Sequence, residues 1–183
     1  MSDNPAQGIA AQKLQVLFSG TGYNFYDDKN KMRADDLLVR QKASAALADA
    51  AQTLTTLDSE FRRRYVPPAS RQNPFPPADV MEQVREIGRV RDRARDLSSR
   101  ILTMPAPAQD KVWFRFRQEA TLLTELFTFD YNMVEQTQQF CEKIAAITAD
   151  TWRAGGQAST LESALSTLEM TIKDRWQLLT MPT

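Results

Sequence analysis

Among the ionisable side chains of this sequence, one carboxylate is placed where a charge is expensive. Asp130 falls on an apolar helical seam between Phe127 and Val134, with Leu123, Leu126 and Met133 on the same side. An unpaired carboxylate in that position costs several kcal/mol, so it requires a partner. Arg91 and Arg175 are the expected partners, because each lies beside an inward seam of a neighbouring helix. Such a cluster either fixes helix register or forms the floor of a ligand cavity, and the first is the expectation here.

The rest of the chemistry is narrowed by what is missing. The chain has no histidine and a single cysteine, Cys141. Di-iron bundles of the Glu-x-x-His type, zinc sites and Ser or Cys triads therefore cannot be assembled from it. Cys141 sits on an apolar seam and reads as a small buried hydrophobe. Asp27, Asp28 and Asn30 superficially suggest a calcium loop, but the glycine and closing glutamate are absent at the required spacings, and a helix N-terminus fits better. No phosphate-cradling or dinucleotide glycine pattern occurs. An all-carboxylate Mg²⁺ site is chemically open, yet no repeated Asp/Glu motif proposes one. The expectation is a protein without catalytic, cofactor or metal residues, and no enzyme.

Two motifs point instead to partners. Arg71, Pro74 and Pro77 have the spacing of a basic residue followed by a PxxP ligand, within a connection from Val66 to Pro77 that is too rich in proline to be helical. Tyr23, Phe25 and Tyr26 crowd a loop, where they plug one end of a bundle or stand as a contact site. Together with Trp152 and Trp176 they supply more large aromatics towards the ends than a narrow core buries, and partly exposed aromatics are typical interface anchors.

The elements that position these residues are all helical by period. Gln109 to Ala149 lacks glycine and proline and reads as one long helix with two apolar seams. The first runs through Trp113, Phe116, Ala120, Leu123, Phe127, Val134, Cys141 and Ile144; the second through Val112, Leu122, Leu126, Phe129, Met133, Phe140 and Ile147. At about 1.5 Å per residue it would span roughly 60 Å. A second long helix is expected from about Asn30 to Tyr65, with Leu38, Ala45 or Ala46, Leu47, Ala50, Leu54, Leu57, Phe61 and Tyr65 inward and an alanine-rich middle that lets a neighbour approach closely. Arg62, Arg63 and Arg64 suit the negative end of its macrodipole. A third, capped by Asp79, runs from Val80 to about Thr103 with Val84, Ile87, Val90, Ala94, Leu97 and Ile101 inward. Its arginines alternate with carboxylates three or four residues apart, as in Glu82 with Arg85 and Asp96 with Arg100, which is the pattern of a solvated face. After Gly155 and Gly156, Ser159 or Thr160 caps a last helix with Leu161, Leu165, Leu168, Ile172, Trp176 and Leu179 inward. A short helix, Ile9 to Ser19, precedes them all, behind a poorly ordered start at residues 1–8.

These elements predict an all-α fold, an elongated up-and-down antiparallel bundle of four long helices within one domain over residues 9–183. The 183 residues carry 23 basic and 23 acidic side chains, so no global field draws the protein to nucleic acid. No apolar run approaches membrane-spanning length, and a cytoplasmic protein is expected. The functional expectation is a non-enzymatic protein-interaction or scaffold module, self-associating as a homodimer. The alternative is peripheral membrane binding through Ile9 to Phe18, against which stands the single cation Lys13.

Overall fold

The computed structural model of the protein describes residues 32–71, 75–104 and 120–180. They form an all-α, elongated bundle, with five helices and no strand among the described residues: α1 (Met32–Tyr65), α2 (Ala78–Thr103), α3 (Ala120–Ala145), α4 (Ala149–Ala154) and α5 (Gln157–Thr180). The four long helices alternate in direction along the chain. They pack as two antiparallel hairpins, α1 with α2 and α3 with α5, laid side by side so that α1 adjoins α3 and α2 adjoins α5. Across that junction the neighbours run parallel: Arg93 and Arg100 of α2 meet Glu162 and Glu169 of α5 in the same order. Residue 32 marks the lower end of the bundle and residue 65 the upper end.

Helix α1 is 34 residues long, or roughly 50 Å. Its inward face is Val39, Ala43, Leu47, Ala50, Leu54, Leu57 and Phe61, a three-four spacing that keeps one stripe turned to the core. Ala43, Ala50 and Ala51 are buried as the alanine-rich middle requires, whereas Ala45 and Ala48 face outward. All six inward residues expected of α2 are buried, joined by Val80 and Ser98. Ser44 and Ser98 meet at the α1–α2 seam, where each hydroxyl also donates to the other residue's carbonyl, at 3.0 and 2.9 Å. Two small polar residues thus satisfy each other inside a dry contact.

Three sequence expectations are corrected. The long helix does not continue to Ala149: α3 ends at Ala145, and α4 begins after Thr148. Thr148 and Thr151 explain the restart, because each side chain takes the other's backbone N–H in a reciprocal cap. The two apolar seams of α3 merge into one. Leu123, Leu126, Phe127, Asp130, Met133, Thr137, Phe140 and Ile144 are buried, while Leu122, Phe129, Val134, Cys141 and Ile147 flank them half-buried. The caps also move. Helix α2 starts after Pro77 without a side-chain cap, and Asp79 lies within its first turn. Helix α5 starts at Gln157, so Ser159 and Thr160 sit inside it and hydrogen-bond back to the Gly156 carbonyl. The Ile9 to Ser19 helix and the part of the long helix before Ala120 lie outside the described residues. None of the described helices is long and apolar enough to cross a membrane.

Candidate functional site

The buried carboxylate finds its partner. Asp130 accepts a hydrogen bond from Nε of Arg175, and both side chains are inaccessible to solvent. The second arm of Arg175 reaches Asp36 of α1 at 2.6 Å. Asp36 in turn takes both Nε and Nη2 of Arg40, at 3.1 and 2.8 Å, and Arg40 donates to the carbonyl of Met104 at the end of α2 at 2.7 Å. One chain of ionic hydrogen bonds therefore touches all four long helices at the lower end. Each guanidinium bridges two acceptors, which is the geometry that lets a buried charge be retained.

Arg91 is not part of this network. It lies half-buried on α2 beside Asp92, 2.9 Å away, and the hydrogen bond from Arg91 holds the Asp92 carboxyl below its usual range. Val90 holds the inward position expected of it, and Arg91 beside it turns to Asp92 rather than to Asp130. Asp36 and Arg40 were legible as an i,i+4 pair on the same stripe as Ala43 and Leu47. Their burial was hidden by the ordinary habit of such pairs, which is to lie in water.

The arginine-rich face of α2 does carry Glu82 with Arg85, at 3.2 Å, and Asp96 with Arg100, at 3.7 Å. Its stronger contacts cross to α5. Arg93 binds Glu162 and Glu169, and Arg100 binds Glu169. Arginines seven residues apart on one helix face glutamates seven apart on a parallel neighbour, so a single register satisfies both. Arg100 and then Arg93 hold the Glu169 carboxyl below its usual value.

The expected interface aromatics divide. Trp152 is 2% exposed, so it cannot anchor a partner: its ring closes the upper end of the core, and its Nε1 donates to the Gln83 carbonyl at 3.3 Å. A narrow bundle buries this indole because the short α4 packs against the end of α1 and the start of α2. Trp176, also expected on the inward seam, is 41% exposed. Arg175 and Leu179 take the inward positions beside it. Trp176 borders an open groove of about 300 Å³ between α2 and α5, together with Arg100, Thr103, Met104, Ile172 and Lys173. Two further grooves lie along α1: one of about 340 Å³ against Ile144 and Ile147, and one of about 470 Å³ beside Arg63, Arg64 and Thr148.

In the proline-rich connection, Arg71 and Pro77 are exposed and Phe75 is 83% exposed, while Pro74 lies outside the described residues. Tyr23, Phe25, Tyr26 and the Ile9 to Phe18 segment also lie outside them. Cys141 is half-buried and donates to the Ala46 carbonyl at 3.4 Å; burial pushes its thiol pKa up. That environment disfavours the thiolate. Among the described residues no three His, Cys, Asp or Glu side chains converge where a metal ion could sit. No protein-family model, curated protein or solved structure matches the chain.

Proposed function

We propose that the protein is a non-enzymatic interaction module that docks a protein partner in the lower α2–α5 groove. The observation that carries this reading is Trp176. It is a large aromatic held partly in water on a rigid helix, at the edge of a concave surface floored by Ile172 and Met104. Tryptophan is the side chain most enriched among residues that dominate binding energy, and rigid helical presentation lowers the entropy lost on docking. Asp130, by contrast, is filled by Arg175 rather than left facing a cavity, so it serves helix register and not ligand recognition.

Affinity capture from the native cell with mass spectrometry tests the reading when wild type is compared with Trp176→Ala. The expected result is a defined partner retained by the wild type and lost from the variant, with circular dichroism unchanged. Identical captures from both proteins, or turnover of a small molecule by a chain that captures nothing specific, would overturn it.

A further inference from the structure

The chemistry of the groove selects its occupant. Among the described residues that line it, Arg100 and Lys173 are cationic and none is acidic. Arg100 is already engaged by Glu169 and, at 3.7 Å, by Asp96. Lys173 is exposed and forms no ion pair with any described residue, although the other exposed cations of this face are tied to carboxylates. An uncompensated ammonium beside an apolar floor presents a positive rim around a dry centre. That arrangement favours a segment with an apolar anchor and a neighbouring carboxylate, and repels basic segments.

Size and shape point the same way. About 300 Å³ lies at the lower limit of ordinary small-molecule pockets, and the space is an open trough rather than an enclosed cavity. It accommodates a side chain or two projecting from a longer backbone. Resting on the docking reading above, we infer that the partner presents an acidic amphipathic peptide segment, its apolar side chain set against Trp176 and Ile172 and its carboxylate against Lys173.

Selection of a random short-peptide library on the immobilised full chain tests this directly. The enriched peptides are expected to combine an aliphatic or aromatic residue with an excess of Asp and Glu. A synthetic representative should weaken by about tenfold on Lys173→Glu, weaken further in high salt, and fail to bind Trp176→Ala. Both substituted residues are solvent-exposed, and an unchanged helical circular dichroism spectrum establishes that the variants fold. Peptides that depend on Trp176 but lack acidic residues and ignore Lys173→Glu would overturn the inference and leave the docking reading standing. Failure to enrich any Trp176-dependent peptide would overturn both. A dimer in light scattering that Trp176→Ala dissociates would make a second copy the occupant and likewise remove the acidic partner.

Discussion

At the upper end of the bundle the core is closed by an indole ring, and at the lower end by a cluster of buried charges. Helix α4 lays Trp152 across the top, and around it Gln83 and Arg153 exchange hydrogen bonds, at 3.2 and 2.7 Å, while Arg153 reaches Asp79 at 2.7 Å. The hydrogen bond from Arg153 holds the Asp79 carboxyl below its usual range. Tyr65 donates to Asp150, which also pairs with Arg64 at 2.8 Å. These polar contacts form a wet rim around a dry plug. The lower end inverts the order, with Asp130, Arg175, Asp36 and Arg40 in the interior and Trp176 at the edge. An apolar plug stabilises by area and tolerates small displacements; an ionic cluster stabilises little in net terms but penalises every arrangement in which one member loses its partner. The upper end therefore supplies stability, and the lower end supplies register, fixing the surface on which the α2–α5 groove lies.

The largest effects should come from leaving the lower cluster incomplete. Arg175→Leu takes a buried charged partner from both Asp130 and Asp36 and is expected to cost about 3–5 kcal/mol. Urea unfolding measures it. The paired change Asp130→Leu with Arg175→Leu should recover most of the loss, since Asp36 keeps Arg40. If the double variant is as unstable as the single one, the cluster contributes net stability and the contrast between the two ends fails.

Trp152→Ala should follow closely, at about 3–5 kcal/mol for a buried aromatic removed from a closed core. No second substitution at Gln83 is expected to restore it, because the loss is one of packing. Hydrogen exchange sharpens the test: protection should fall in the first turns of α2 and the last turns of α1, with the lower end unaffected.

A smaller effect belongs to the turn that releases α5 from the upper cap. Gly155 has φ +92° and ψ 173°, a conformation essentially confined to glycine, and a side chain placed there would meet nothing within 4 Å. Gly155→Ala should therefore cost about 1–3 kcal/mol through backbone strain alone. An unfolding free energy unchanged from wild type would show that the turn relaxes freely.

The helices were legible because their apolar spacing is regular: every inward residue read for α2 is buried, and Asp130 announced its need for a partner by breaking a seam. Arg175 was within reach of the same reasoning, since it adjoins that seam. What could not be read was the choice between residues one step apart. Arg175 and Trp176 differ by about 100° around a helix, and which one faces inward depends on where the neighbouring helices lie. The packing order was equally hidden. Alternating direction says that α1 and α2 are antiparallel, but it does not say that α2 will lie beside α5, and only that placement turns the arginines of α2 from a solvated face into a ladder.

That ladder gives the smallest and most discriminating prediction. Glu169 is about one third exposed, so its pairs with Arg93 and Arg100 fall within the roughly 0–1 kcal/mol typical of surface ion pairs. Its carboxyl titrates below the ordinary value of 4.5 in the folded protein. A carboxylate whose pKa is depressed by folding contributes in full above its unfolded pKa, and that contribution is lost as the pH falls through the depressed value. Glu169→Gln should therefore lower the melting temperature slightly at neutral pH, and the gap to wild type should close as the pH falls through the depressed value. At about 1 M salt the gap should also shrink, because exposed charges are screened. The destabilisation caused by Arg175→Leu should survive the same salt, its charges being inaccessible. Equal salt sensitivity of the two variants would mean that water reaches the lower cluster, and the distinction between a buried register lock and a surface ladder would be lost.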